Sequence, residues 1–210
     1  KDGMPWDSDG YSNGTIFEYN YSKNNEGGAY LIISYGEGAS PTGLADSRDS
    51  IFRYNISEND RFALMTMTNP AGNHKVYNNV FYVGPERQVD AFFYGNMSHK
   101  DIGVNFANNV FYVDEKDGKS GSLNGNWATK FEYDSNIYYS KQEGGISKLP
   151  KDPNKIIEDP MFVAAGSGED GYKVMENSPA INAGKYIVDN GGTDYYGNKL
   201  YNGAPDIGVH

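Results

Sequence analysis

The stretch that decides the fold is KVYNNVFY, from Lys75 to Tyr82, which returns as NFANNVFY from Asn105 to Tyr112. Each stretch carries asparagine inside a run of aromatic and β-branched residues, a composition that favours strands. Three further copies of the pattern are TIFEYNYS from Thr15, SIFRYNIS from Ser50 and EYDSNIYY from Glu132. A short strand-like unit that recurs five times predicts a stacked, repetitive architecture.

The copies align on one shared asparagine, with aromatic or branched residues three positions before it and one position after it. The aligned positions are Asn20, Asn55, Asn79, Asn109 and Asn136. Their intervals of 35, 24, 30 and 27 residues are too uneven for propeller blades and suit stacked coils whose loops vary on one face. We therefore predict an all-β fold, a right-handed parallel β-helix (solenoid). Asparagine accepts the left-handed backbone of a tight turn, and its amide can bond to the asparagine one coil away, which predicts an internal ladder.

The chain changes character after Pro150, where Pro and Gly punctuate a segment without the repeat. It contains EDPMFV from Glu158, SPAINAG from Ser178, DYYGN from Asp194 and GAPDIGVH from Gly203. This series resembles the closing segment of many bacterial parallel β-helix proteins. The resemblance implies coils over residues 1–150 and a loop-rich C-terminal cap over 151–210 of the same domain. A solenoid end exposes strand edges that a cap can cover, so Asp194 and Asp206 are interpreted as turn and capping residues.

Composition excludes several classes of partner. The net charge of -10 would repel a phosphate backbone, so nucleic acid is not an expected partner. The chain has no run of 18 apolar residues, which predicts no membrane span. The absence of cysteine excludes disulfides and thiolate sites, and the three histidines lack metal-ligand spacing, so no metal site is predicted from them.

The acidic stretch DGMPWDSDG, from Asp2 to Gly10, is the main candidate for chemistry. It gathers Asp2, Asp7 and Asp9 around Trp6, and glycoside hydrolysis uses two carboxylates with an aromatic face that stacks on the sugar. Asp7 and Asp9 alternate across one residue, so an extended loop would place both on one face, about 5–7 Å apart. We predict Asp2, Asp7 and Asp9 as catalytic residues of a glycoside hydrolase acting on an oligo- or polysaccharide.

The same stretch resembles two families of β-helix enzymes. In β-helix glycosidases of the lacto-N-biosidase type the two catalytic aspartates lie seven residues apart, as Asp2 and Asp9 do here. Pectate lyases carry an Ala-Asp-Gly-x-x-x-Lys stretch whose lysine is the base, and the matching position here is Asp7. A carboxylate at that position removes the base of the lyase and adds charge that repels an acidic polysaccharide. A calcium-dependent polysaccharide lyase remains the alternative reaction.

Four further residues are predicted to bind substrate: Trp6, Glu26, Arg61 and Trp127. Glu26 begins an acidic turn, Arg61 lies in a variable loop, and Asn124-Gly125-Asn126 places Trp127 in a loop. Two non-catalytic interpretations stand beside these: the aspartates form an ordinary turn or a Ca²⁺ site with oxygen ligands, or the chain is a glycan-binding surface module.

The chain opens inside the candidate motif, so we expect further β-helix coils from a longer parent chain or a partner subunit. The resemblances imply an extracellular or cell-surface bacterial protein.

Overall fold

The chain is built from short parallel strands. The computed structural model describes residues 3–34, 46–86, 89–94, 103–114, 127–200 and 203–210. Their strands are β1 (Trp6–Ser8), β2 (Ile16–Glu18), β3 (Tyr21–Lys23), β4 (Tyr30–Ile33), β5 (Ile51–Arg53), β6 (Ile56–Glu58), β7 (Phe62–Thr68), β8 (His74–Tyr77), β9 (Val80–Val83), β10 (Val89–Tyr94), β11 (Val104–Ala107), β12 (Val110–Val113), β13 (Glu132–Asp134) and β14 (Ile137–Tyr139). Within these ranges the helical content is one 3-10 helix, Glu169–Tyr172, so the predicted all-β class is confirmed. No helix of the described residues is long and apolar enough to cross a membrane.

The strands form three parallel sheets that the chain visits in the same order. Sheet 1 has the order β1-β4-β7-β10, sheet 2 the order β2-β5-β8-β11-β13, and sheet 3 the order β3-β6-β9-β12-β14. Three consecutive strands, one in each sheet, make up one layer, and β1–β3 form the first layer. Equivalent residues of the repeat pair across layers, as in the row Phe17, Phe52, Val76, Phe106 and Tyr133 in sheet 2.

The corner between sheet 2 and sheet 3 in each layer is made by two residues, of which the second is the shared asparagine. The residue with positive φ is the first of the two: Tyr19, Tyr54, Asn78, Asn108 and Ser135 have φ between 49° and 58°. The prediction that the shared asparagine itself takes the left-handed conformation is therefore wrong by one position. The left-handed residue turns the chain, and this turn directs the next side chain into the interior, where it reaches the adjacent layer.

The predicted asparagine ladder is confirmed. Each asparagine donates through Nδ2 to Oδ1 in the next layer, at 2.9 Å from Asn20 to Asn55, 3.2 Å from Asn55 to Asn79, 3.0 Å from Asn79 to Asn109 and 3.0 Å from Asn109 to Asn136. Each of these Oδ1 atoms also accepts the backbone N–H of the preceding asparagine. The ladder ends on Asp152, whose Oδ2 accepts Nδ2 of Asn136 at 2.8 Å. All amides therefore point in one direction along the stack.

The core between the sheets is filled by a column of aromatic rings. Phe52, Phe81, Phe111 and Tyr138 stack in succession with ring centroids 6.1, 5.2 and 5.5 Å apart and planes within 21° of parallel. Offset stacks of this kind add to the free energy gained by burying each ring. The repeat thus provides both an apolar column and a polar ladder that run side by side through the stack.

The C-terminal segment covers a side of the stack as well as its end. Residues 151–159 cover the last layer, where Ile156 pairs with Ile137 in parallel. The strap, residues 160–200 and 203–210, instead runs back along the outer face of sheet 3 toward the first layer, where Tyr19 donates to the Thr193 carbonyl at 3.0 Å. Its buried members are Phe162, Tyr172, Ala180, Ile207 and Val209, and they pack on Ile56, Val80, Tyr82, Val110, Tyr112 and Ile137. The strap thus gives sheet 3 a second layer, because a sheet buried on both faces needs cover along its whole width.

The strap is held to the first two layers by one buried carboxylate. Glu58 Oε2 accepts hydrogen bonds from the Tyr21 hydroxyl, the Tyr172 hydroxyl and the Gly168 amide, each at 3.0 Å. Its Oε1 forms an ion pair with Lys23 at 2.7 Å. Burial alone would raise the pKa of Glu58, but Lys23 and these three donors together lower it. Glu58 is therefore charged in the folded chain.

Asp194 and Asp206 have the turn and capping roles predicted for them. Asp194 accepts both the backbone N–H and the side-chain amide of Asn198 at 2.8 Å. Asp206 Oδ1 accepts the N–H of Asn182 at 2.6 Å.

Candidate functional site

The candidate catalytic residues lie at the start of sheet 1. In β1 the side chains of Trp6 and Ser8 point into the core, and Asp7 between them is exposed. Asp9 follows the strand directly and is also exposed, with Oδ1 accepting the Gly10 amide at 2.7 Å. Asp2 lies outside the described residues. The alternation of exposed, buried and exposed side chains agrees with the expectation that Asp7 and Asp9 share one face. Their catalytic role stays a prediction.

Glu26 and Arg61 occupy equivalent corners of the first and second layers. Glu26 lies six residues after Asn20 and Arg61 lies six residues after Asn55. The structure pairs them, with Arg61 Nε 3.5 Å from Glu26 Oε2, and leaves 69% of the Glu26 side chain exposed. A surface ion pair of this kind is weak, so both groups can exchange this contact for one with a ligand.

Close packing brings the Glu26 corner against the acidic stretch. A Cβ atom added at Gly27 would lie 2.7 Å from the Gly3 carbonyl carbon and 2.8 Å from the Met4 nitrogen. Gly28 has φ of +101°, and a Cβ atom there would lie 1.7 Å from the Ala63 oxygen. Both positions therefore require glycine. The segment that carries Glu26 thus lies next to the segment that carries Asp7 and Asp9, the other residues predicted for the site.

Asp60 organises this corner from inside and was missed by the sequence analysis. Its carboxylate is buried and accepts hydrogen bonds from the hydroxyls of Ser22 and Ser57, both at 2.7 Å. It also accepts the Asn25 backbone amide at 2.7 Å and the Asn25 side-chain amide at 2.9 Å. Burial raises the pKa of Asp60 although these donors oppose the shift. A signal was present in the sequence, because Asn25 and Asp60 each lie five residues after a ladder asparagine.

Trp6 and Trp127, both predicted to stack on a sugar, pack into the core instead. Trp6 is 7% exposed and meets Phe52 edge to face, with ring centroids 5.1 Å apart. Trp127 lies outside the strands as expected, but its ring packs edge to face on Phe111 at 5.1 Å and on Tyr138 at 5.3 Å. Each indole flanks the aromatic column, where burial of a large ring yields more free energy than exposure. Trp6 is therefore corrected to a core residue, and Trp127 is a partly buried ring packed against the core.

The described part of the chain contains no group of three or more His, Asp or Glu side chains that could hold a metal ion. Asp7 and Asp9 therefore do not form part of such a group, and the described residues give the calcium interpretation no support.

The exposed carboxylates of Asp7 and Asp9 make the edge strand of sheet 1 a polar surface. Such a surface suits a hydroxyl-rich ligand, because carboxylates accept hydrogen bonds from sugar hydroxyls and two carboxylates can divide the roles of acid and nucleophile or base. Asp7 and Asp9 as the reactive groups, and Glu26 and Arg61 as flanking substrate contacts, remain predictions.

Comparison with known proteins gives one informative similarity. No family model matches the chain. The chain is 31% identical over 243 residues to a lacto-N-biosidase of Bifidobacterium longum subsp. longum, and the alignment covers 99% of this chain. The chain spans 13% of the length of that relative. The similarity supports a glycosidase-like relationship that extends over nearly the whole chain.

Proposed function

We propose that this chain is the C-terminal part of a right-handed parallel β-helix that hydrolyses glycosidic bonds. The observation that carries the proposal is the similarity to a lacto-N-biosidase along 99% of the chain. By the name of that relative, the substrate class is an oligosaccharide that carries a lacto-N-biose unit. Asp9, with Asp2 or Asp7 as its partner, supplies the two carboxylates of the reaction.

The order of the strands supports the β-helix. Three parallel sheets are visited in a constant order, layer after layer, and parallel pairs join each strand to the strand one layer away. Right-handed crossovers are strongly preferred between parallel strands of one sheet. A ladder of identical amides inside a corner is a further feature of stacked coils, because equivalent positions coincide from one coil to the next.

The polarity of the ladder supports additional coils before the first layer. Among the described residues no donor reaches Asn20 Oδ1, whereas the equivalent oxygens of Asn55, Asn79 and Asn109 each accept two hydrogen bonds from the layer before. The edges of β1, β2 and β3 that face away from the second layer are unpaired in the described residues. Coils from a longer parent chain or a partner subunit would pair with these edges and complete a groove beside Asp7 and Asp9.

The carboxylates would divide the chemistry of hydrolysis. One protonates the glycosidic oxygen as the bond to the leaving sugar breaks, and the other attacks the anomeric carbon or activates water. Glu26 and Arg61 would bind sugar hydroxyls beside the reacting bond. An enzyme of this class would meet its glycans outside the cell, which is why an extracellular or cell-surface location remains our prediction.

The test is the release of 4-nitrophenol from a chromogenic 4-nitrophenyl lacto-N-bioside, measured with the chain and with any longer protein that contains it. We expect Asp9→Asn to abolish turnover while the circular dichroism spectrum stays that of the parent. The matched control is Asp170→Asn, which removes a carboxylate that is 87% exposed and lies on the strap. Full activity of Asp9→Asn would remove Asp9 from the mechanism.

Other outcomes separate the competing functions. Unsaturated products that absorb in the ultraviolet, formed only with Ca²⁺, would indicate a lyase. Glycan binding without product formation would indicate a binding module. Either result would contradict hydrolysis.

A further inference from the structure

Beneath the candidate carboxylates lies a buried polar cluster that the proposed hydrolysis does not use. Ser8 points inward between the exposed Asp7 and Asp9, and its Oγ lies 2.7 Å from both Ser47 Oγ and Ser50 Oγ. These three serines have no exposed surface. A hydroxyl cluster in an otherwise apolar core costs free energy unless its hydrogen bonds are made, so its presence at this strand requires a role.

The Ser47–Ser50 segment is held by Ser34, whose Oγ accepts the Ser47 N–H at 3.0 Å, and by one imidazole. His74, at the start of β8, is fully buried, and its Nδ1 accepts the Ser50 backbone N–H at 3.2 Å. Its Nε2 lies 3.0 Å from the Ser47 carbonyl oxygen and therefore donates to it. Because Nδ1 accepts and Nε2 donates, the ring is neutral and in one tautomer. The imidazole thus holds both ends of the Ser47–Ser50 segment, and the hydroxyls of that segment hold Ser8.

We propose that His74 is a positioning residue, whose neutral imidazole holds the Ser47–Ser50 segment and through Ser8 sets the position of Asp7 and Asp9. The inference rests on the proposed glycosidase function and adds to it a group that touches no substrate. Asp7 precedes Ser8 and Asp9 follows it, so a shift of Ser8 moves both carboxylates together. A displacement of about 1 Å in reacting groups can lower a rate by about a hundredfold.

The position of His74 also predicts the acid side of the pH profile. Protonation would place an N–H on Nδ1 against the Ser50 N–H, so two donors would face each other and the segment would be released. Burial lowers the pKa of His74, and Arg48 lowers it further, while the Ser47 carbonyl, Asp49 and the Ala71 backbone oppose the shift. Val104, which pairs with His74 from β11, and Ser50, which contacts it from the segment before β5, carry no charge. The site is therefore held together above the ordinary histidine pKa of about 6.5, and it loosens as the pH falls through the lower folded value.

The experiment compares two replacements that each keep one half of the imidazole. His74→Asn places an amide oxygen where Nδ1 accepts the Ser50 N–H, and it does not titrate. His74→Gln places its amide near Nε2 and loses that acceptor. We expect His74→Gln and Ser8→Ala to lower kcat by about tenfold or more with little change in KM, because binding groups outside β1 are unchanged. We expect His74→Asn to retain more activity and to lose the acid limb of kcat/KM that the parent shows.

The matched control is Ser178→Ala, which removes an equally buried hydroxyl whose 2.6 Å hydrogen bond to the Pro160 carbonyl lies in the strap. Its pH profile should be that of the parent. A parent profile retained in both His74 variants, or an equal loss of kcat in Ser178→Ala, would overturn the positioning role.

A second readout does not depend on turnover. The protection of residues 6–9 against amide hydrogen exchange, corrected for the intrinsic pH dependence of exchange, should fall in His74→Gln at neutral pH, and in the parent as the pH falls through the folded pKa of His74, while β12 stays protected. Unchanged protection of residues 6–9 would overturn the inference even in an inactive chain. If the parent protein hydrolyses no glycoside while exchange responds as expected, the proposed function fails and the role of His74 in holding β1 stands.

Discussion

Removing one middle rung of the asparagine ladder should be among the most destabilising single changes in this chain. The Asn79 side chain has no exposed surface and takes part in five hydrogen bonds. Its Nδ2 donates to the carbonyls of Phe52 and Tyr77 and to Asn109, and its Oδ1 accepts two bonds from Asn55. Asn79→Ala deletes all five and leaves the buried backbone N–H of Asn55 without its acceptor, while the Asn55 side chain keeps the carbonyls of Phe17 and Arg53.

The magnitude follows from these partners. A net contribution of about 0.5–1.5 kcal/mol for each of the five bonds, with about 1–3 kcal/mol for a buried donor left unpaired, gives a loss of at least about 3.5 kcal/mol in the free energy of unfolding. Asn20→Ala is the internal comparison, because the partly buried Asn20 donates only to the Glu18 carbonyl and to Asn55 through its side chain. Water can replace those two bonds, so we expect a loss of about 1 kcal/mol there.

The assay is equilibrium unfolding in urea, followed by tryptophan fluorescence. Both tryptophans report on the core, because Trp6 and Trp127 flank the aromatic column. The midpoint should fall much further for Asn79→Ala than for Asn20→Ala, with the same denaturant dependence in both variants. Equal losses in the two variants would refute the reasoning that the buried amides stabilise the stack cooperatively.

Two further predictions concern the end of the ladder and the strap. The Asp152 carboxylate accepts five hydrogen bonds, from the backbone amides of Ser135, Asn136 and Asn154, the Asn136 side chain and the Tyr138 hydroxyl. Asp152→Asn would turn an NH₂ group toward some of these donors. We expect it to lower the free energy of unfolding by about 2 kcal/mol in the same urea assay. A variant as stable as the parent would contradict this account of how the ladder ends. Because the pKa of Glu58 is lowered below its usual 4.5, its contribution is complete above that pH and is lost as the pH falls through the lower folded value. The protection of the amides of residues 166–172, corrected for the intrinsic pH dependence of exchange, should therefore fall on acidification in the parent. Glu58→Gln should show weaker protection at neutral pH with a flatter pH dependence, and parallel pH curves would count against this role of Glu58.

The sequence by itself determined the periodic part of the molecule. The five asparagines predicted the ladder, because a repeated residue with repeated neighbours must occupy equivalent places in successive layers. The flanking residues Phe52, Phe106 and Tyr133 predicted the inward row of sheet 2 in the same way. The alternation from Asp7 to Asp9 predicted that both aspartates share one face, since strand geometry sends successive side chains to opposite faces.

The repeat also held information that the sequence analysis did not use. The runs VFYV in β9 and β12 have four consecutive buried residues, which is typical of a strand covered on both faces. That pattern indicated that something covers sheet 3, although it did not say that the strap does so. The equivalent positions of Asn25 and Asp60 were a second unused signal.

Only the tertiary structure decided which contacts join segments that are far apart in the chain. The path of the strap back to Tyr19, the burial of Trp6 and Trp127, and the link from His74 to Ser8 each connect residues with no common periodicity. A local pattern gives the direction of a side chain relative to its own strand. What that side chain meets depends on which other segment is folded against it, and in this chain that is set by the packing of the strap and the stacking of the layers.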